Sequence, residues 1–221
     1  WRHSRQGLLN PEEFVPIADD SGYFAALGRW VMHTACTQVR HWRDAGQWVN
    51  VAINVSPRHF GHENFLQMVR ESMHESGIPA SALQIEVTEQ TLMRYPEQAE
   101  RTLNQLKAMG FSVVFDDFGT GQSSLSLLSR LPVDGIKIDC SLIAGLPDDR
   151  EKTALVRAIV AMAASMSLRV TAEGVETREQ REFLVSIGCP AMQGGLVSMP
   201  QDAESTMALL VAGGAPVVRD N

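Results

Sequence analysis

Six short apolar runs recur along the chain, and each stops on an acid, an amide or a lysine. They fall at 48–55 with Asn54, 83–88 with Glu86, 112–116 ending on Asp116 and followed by Asp117, 135–139 with Lys137 and Asp139, 168–173 ending on Glu173, and 191–196 with Gln193. Their interiors are apolar rather than alternating, as in strands covered on both faces of a parallel sheet. Longer segments with apolar residues three or four apart lie between them. Residues 22–43 place Phe24, Leu27, Val31, Ala35, Val39 and Trp42 on one stripe, and residues 150–167 do the same with Leu155, Val156, Ile159, Val160, Ala163 and Met166. Shorter helical patterns fall at 62–76, 97–109, 123–130, 177–187 and 202–212. Strand then helix, repeated, predicts an α/β fold with parallel strands and crossover helices. In a parallel β/α barrel all strand C-termini open onto one rim, where the loops build the site. One polar strand end is an ordinary place for a chain to meet water; six in succession predict a shared site.

Composition narrows the partners. The chain has 221 residues, 44% hydrophobic and 20% charged, which fits a folded domain, and no stretch approaches the length needed to span a bilayer. At about 150 residues per domain, one large domain is expected. Nineteen basic against 26 acidic residues give a net charge of −7, a surface that repels duplex nucleic acid. A small anionic ligand is compatible with that charge where metal ions neutralise it. Cys36, Cys140 and Cys189 are too few and too scattered for a disulfide or zinc framework, which points to a reducing, cytoplasmic compartment.

Carboxylates crowded at one rim repel each other unless cations bind, and hard oxygen ligands with an amide favour Mg²⁺ or Mn²⁺ over zinc. The adjacent Asp116 and Asp117 suit a pair of ions sharing one carboxylate, the arrangement of two-metal phosphoester hydrolysis. Lys137, inside an apolar strand, brings a compact positive charge to the same place. The segment Phe118-Gly119-Thr120-Gly121 then begins a glycine-containing loop that suits a moving lid.

Asn54-Val55-Ser56, Glu86-Val87-Thr88-Glu89, Asp116 through Gly121 with Ser123-Ser124-Leu125, Lys137-Ile138-Asp139, Ala172-Glu173-Gly174-Val175-Glu176-Thr177 and Gln193-Gly194 stand in one order. In that order the chain resembles the EAL-domain cyclic di-GMP phosphodiesterases, as far as about Ala212. The resemblance implies a modified, TIM-like (β/α)8 barrel that hydrolyses cyclic di-GMP to linear 5′-pGpG with two Mg²⁺ or Mn²⁺ ions. It implies Asn54, Glu86, Asp116 and Asp117 as metal ligands, Lys137 as the residue that orients or activates water, and Glu173 as general base or water-mediated ligand. It further implies Asp139, Glu176 and Gln193 as supporting residues and Glu89 as the anchor of a lid loop formed by Phe118, Gly119, Thr120, Gly121, Gln122, Ser123 and Ser124.

The family's Glu-Ala-Leu signature would fall just before Trp1. The expectation is therefore an EAL domain over 1–212, truncated at its first strand, followed by a flexible tail over 213–221. Gln122, Cys140, Leu142 and Gly195 replace residues that the family uses near substrate, which predicts weaker guanine binding. His59 and His62 read as surface residues. The resemblance also implies a homodimer fused to other signalling domains, with no membrane contact by this domain, although the whole protein can be membrane-anchored. The alternative reading is a receptor that holds cyclic di-GMP without cleaving it.

Overall fold

The structure is a computed structural model and describes residues 1–94, 96–120, 128–189 and 191–212. A small antiparallel hairpin, β1 (Arg2–His3) with β2 (Gly7–Leu8), precedes helices α1 (Pro11–Asp20) and α2 (Phe24–Asp44). Neither the hairpin nor α1 is legible as a periodic pattern, since two-residue strands have no period and Pro16 interrupts α1. From there strands and helices alternate: β3 (Val51–Asn54), α3 (Pro57–Phe60), α4 (Phe65–Ser76), β4 (Leu83–Thr88), α5 (Glu89–Arg94), α6 (Pro96–Ala108) and β5 (Ser112–Phe118). The order continues with β6 (Gly135–Ile138), α7 (Cys140–Ile143), α8 (Arg150–Ser165), β7 (Arg169–Ala172), α9 (Arg178–Ser186), β8 (Ala191–Met192) and α10 (Ala203–Val211).

Strands β3 to β8 form one six-stranded sheet in chain order, and every pairing within it is parallel. This is the modified barrel sheet expected from the sequence. Among the described residues β3 pairs only with β4 and β8 only with β7, so the ring stands open between them. The helical reading at 123–130 falls largely outside the described residues, as does the tail expected over 213–221.

Parallel strands need cover on both faces, and burial follows that requirement in the central strands β4 to β6. Ile85, Val87, Val113, Ile136 and Ile138 are buried on the sheet, while Cys36, Val39, Val69, Leu103, Leu106, Val156, Ala163 and Leu184 come down on it from the helices. Each large side chain so removed from water contributes roughly 1.5–3 kcal/mol. Side chains also fix the entries of the later helices. Asp149 accepts from the backbone N–H groups of Glu151 and Lys152, Thr177 and Gln180 form a capping box, and Asp202 accepts from Ser205. No helix among the described residues is long and apolar enough to cross a membrane.

The segment after β8 crosses close over the segment after β7. Gln193 donates its backbone N–H to the Ala172 carbonyl at 2.8 Å and accepts from Val175 at 3.0 Å. At Gly194, with φ of 151°, an added Cβ would lie 2.3 Å from the Val175 backbone nitrogen. Backbone atoms held in a ladder cannot withdraw from such a contact. Gly194→Ala is therefore expected to destabilise the fold by about 2 kcal/mol or more, measured by urea unfolding; an unchanged midpoint would contradict the close crossing.

Candidate functional site

Lys137 sits in β6, where all four residues are buried. Its ammonium lies 2.9 Å from Glu86 Oε2 on β4, 3.2 Å from Asp116 Oδ1 on β5 and 2.6 Å from Glu173 Oε1 just beyond β7. Four neighbouring strands thus deliver three acids and one base to a common point at their C-terminal ends. Burial alone would lower the lysine pKa, but the hydrogen bond to Glu173 and the charges of Glu86 and Asp116 outweigh it, so the net shift is upward. Glu173 shifts upward as well, because burial and the nearby charges of Asp116 and Glu86 exceed the help it receives from Lys137. Glu86 is held from its other oxygen by Gln84 at 3.1 Å.

The two adjacent aspartates pose a geometric problem. Successive side chains on a regular strand point to opposite faces, so Asp116 and Asp117 cannot both turn toward one ion. A bulge solves it. Phe115 pairs with Ile136 and Phe118 with Ile138, so the segment from 115 to 118 on β5 runs opposite a shorter one on β6. Asp117 takes up the extra length in a left-handed conformation, φ 55°, and its N–H donates to Asp116 Oδ1 at 3.0 Å. Ligand oxygens of Asp116, Asp117 and Glu173 consequently lie within 4.8 Å of one another. Burial, reinforced by the charges of Asp116 and Asp139, raises the Asp117 pKa against the opposing pull of Lys137.

This donor set fits a hard divalent cation. It is oxygen-only, it holds more acids than the single ammonium can neutralise, and crowding raises the energy of its charged form without one. The acidic group Asp116, Asp117 and Glu173 can hold a metal ion.

The other expected residues are arranged around this group. Asn54, exposed at the end of β3, stands in register opposite Glu86. Asp139 caps α7, accepting from the Ser141 N–H at 2.9 Å. Gln193 contributes its backbone to the β7–β8 crossing, with its side chain exposed. Glu176 is exposed, and its backbone N–H donates to Gln180 Oε1 at 2.7 Å. Glu89 is half-buried at the start of α5, and the loop it is expected to anchor lies largely outside the described residues: Gly121, Gln122, Ser123 and Ser124 are not described.

Two expectations are corrected. Phe118 is not part of a lid: β5 extends through it, and its ring is buried 5.7 Å from Phe115 in an edge-on contact. The bulge is the reason, because one extra residue returns Phe118 to the core side. Gly119 comes next at φ 103°, where a Cβ would meet Leu142 at 2.5 Å. Leu142 is correspondingly a buried packing residue. His59 is not a free surface residue either. Its ring lies between Ser56 and helix α2, bonded to both. A histidine three residues after a serine cap carries no periodic signal, which is why the pattern misses it.

A parallel β/α sheet whose strand ends gather acids around a buried lysine defines a barrel-type protein with an acidic site on its C-terminal rim. The EAL domain family matches residues 1–200, and this chain belongs to it. It is 42% identical over 210 residues to the bifunctional diguanylate cyclase/cyclic di-GMP phosphodiesterase MucR of Pseudomonas aeruginosa, covering 94% of this chain and 30% of MucR. It is 36% identical over 203 residues to the cyclic di-GMP phosphodiesterase PdeR of Escherichia coli, covering 92% of this chain and 31% of PdeR. The chain thus spans about a third of the length of these relatives. Among solved structures, the PaMucR phosphodiesterase in complex with c-di-GMP superposes with a TM-score of 0.89 at 42% identity, covering 93% of this chain and 84% of that one. The EAL domain of Mycobacterium smegmatis DcpA gives 0.81 at 40% identity, covering 86% of each chain.

Proposed function

We propose that this chain is a cyclic di-GMP phosphodiesterase domain that opens one phosphodiester of the cyclic dinucleotide to give linear 5′-pGpG. The observation that carries this reading is the convergence of Asp116, Asp117 and Glu173 oxygens within 4.8 Å, beside the buried Lys137. The names of MucR and PdeR and the c-di-GMP complex of PaMucR support the choice of substrate.

In this reading Asn54, Glu86, Asp116 and Asp117 would hold two Mg²⁺ or Mn²⁺ ions. Bound there, such ions supply Lewis acidity toward the phosphate oxygens and make water more acidic. The protein's own groups do the rest. Lys137, its pKa raised, stays protonated; it orients water by donating to it and balances charge, but does not serve as a base. Glu173, whose raised pKa brings it closer to neutral pH, accepts the water proton. Water oxygen bonds to phosphorus, the P–O3′ bond breaks, and the leaving 3′-oxygen takes up a proton. Asp139, Glu176 and Gln193 fix the surroundings, and Glu89 anchors the lid loop expected from the sequence.

The test is direct. The chain, preceded by a strand ending in Glu-Ala-Leu, is incubated with cyclic di-GMP and Mn²⁺, and pGpG is followed by chromatography. Product that disappears on chelation is expected; tight binding with no product would favour a non-hydrolysing receptor and overturn the proposal. We further propose that the chain works as one domain of a longer cytoplasmic-facing signalling protein and pairs as a homodimer, which light scattering of the purified domain tests.

Lys137 also gives a pH expectation. Its pKa is raised above 10.5, so its contribution to stability is fully present below that pH and declines as pH rises beyond it. In chelator, the stability difference between wild type and a Lys137→Met variant should shrink as pH rises beyond about 10. A difference that grows in that alkaline range would contradict the ion-pair geometry.

A further inference from the structure

We infer that His59 is a positioning residue for Asn54, acting through Ser56, and that Gly28 exists as glycine to admit the histidine ring. The inference rests on the reading of Asn54 as a cation ligand and adds residues that the reading does not include. Asn54 ends an edge strand whose described pairing is to β4 alone. Its position therefore depends on how the next few residues are held. Val55 donates its backbone N–H to the Glu86 carbonyl at 2.9 Å, and Ser56 then caps α3. A helix of four residues has too few internal bonds to hold itself in place.

The hold comes from His59. Its Nε2 lies 2.5 Å from the carbonyl of Phe24 in the first turn of α2. A carbonyl only accepts, so Nε2 carries the hydrogen, and in the neutral ring Nδ1 accepts from the Ser56 hydroxyl at 2.8 Å. The relay runs from α2 through the imidazole to Ser56, two residues beyond Asn54. The Phe24 ring meets the imidazole edge-on at 5.3 Å and completes the socket.

Gly28 supplies the space. A Cβ there would lie 2.1 Å from His59 Nε2 and 2.4 Å from Cδ2, so any side chain expels the ring from its socket. A cavity of about 480 Å³, bordered by Gly28, Ser56 and His59 themselves and by Val31, Ile53 and Asn54, leaves this end of β3 loosely packed. Without the relay little would keep Asn54 aimed.

The experiment measures Mn²⁺ affinity by titration calorimetry and the Asn54 side-chain amide resonances by NMR, with circular dichroism melts confirming folded samples. His59→Ala should weaken Mn²⁺ binding roughly tenfold, the usual effect of removing a group that orients a ligand, and shift or broaden the Asn54 amide. His59→Gln, which can donate to Phe24 and accept from Ser56, should recover most of the loss. Gly28→Ala should reproduce His59→Ala, and the double variant should be no worse than either. On an Asn54→Ala background, His59→Ala should cost nothing further. Wild-type affinity in folded His59→Ala, or an equal loss on the Asn54→Ala background, overturns the assignment. Should the wild-type chain bind no Mn²⁺, the cation-site reading falls instead. The NMR arm still judges His59, because an Asn54 amide unmoved by His59→Ala excludes positioning.

Discussion

Replacing Lys137 by methionine should abolish turnover and sharply destabilise the protein in chelator. The substitution keeps most of the side-chain volume but leaves Glu86, Asp116 and Glu173 facing one another without the ammonium that now lies within 3.2 Å of each. Removing one partner from a buried ion cluster costs about 3–5 kcal/mol. For a chain of this size that corresponds to a fall in Tm of roughly 10 °C. The informative comparison adds Mn²⁺. If the carboxylates form a cation site, the ion replaces the missing charge, and Mn²⁺ should raise the Tm of Lys137→Met by more than it raises wild type. Equal shifts in calorimetry would mean that lysine and metal do not share these acids. A Lys137→Met enzyme with wild-type rate would remove the lysine from the chemistry altogether.

Asp116→Asn should be the most damaging of the carboxylate changes. Asp116 is buried, contacts Lys137, and belongs to the group whose oxygens gather within 4.8 Å. Its Oδ1 also accepts the Asp117 N–H, which ties the strained residue to the strand. An amide keeps the shape and loses the charge, so the folded state should survive while turnover falls by about 10²–10³-fold or more. Mn²⁺ titration should show weakened binding, because Asp116 stands in the middle of the proposed ligand group. Asp117→Asn supplies the contrast. Asparagine tolerates the left-handed backbone at this position, so the bulge should persist and the loss should be smaller. Equal losses would argue against a special role for Asp116.

Much of this protein is legible in one dimension. The six strands of the sheet are readable because burial on both faces demands uninterrupted apolar runs, and a run of that kind needs no knowledge of its neighbours. The polar residues that end them, from Asn54 to Gln193, are readable for the same reason. The bulge is not. Nothing in Val-Phe-Asp-Asp-Phe marks which residue will be left over when β5 pairs with β6, because the surplus exists only relative to the partner strand. The expectation for Phe118 fails as a consequence: an aromatic before glycine reads as the start of a loop until the bulge returns it to the core.

His59 illustrates the same limit from another direction. Its partners are Ser56, which is local, and the carbonyl of Phe24, which is 35 residues away in sequence. The glycine that makes room for it sits on a helix where glycine otherwise only weakens the structure. From the sequence alone Gly28 is a small defect in α2 and His59 a polar surface residue. The contact that explains both arises when α2 packs beside the end of β3.

The linear chain specifies which chemical groups this protein owns and the order in which they reach the rim: acids, an amide and a lysine at the ends of apolar strands, in the succession of the EAL family. Hydrophobic burial enforces that pattern locally, so it is written locally. Folding in three dimensions adds that Lys137 stands among three acids, that Asp116 and Asp117 turn toward one point, and that a histidine latches β3 to α2. Those outcomes depend on strand register and helix packing, which are set by contacts between residues far apart in the chain.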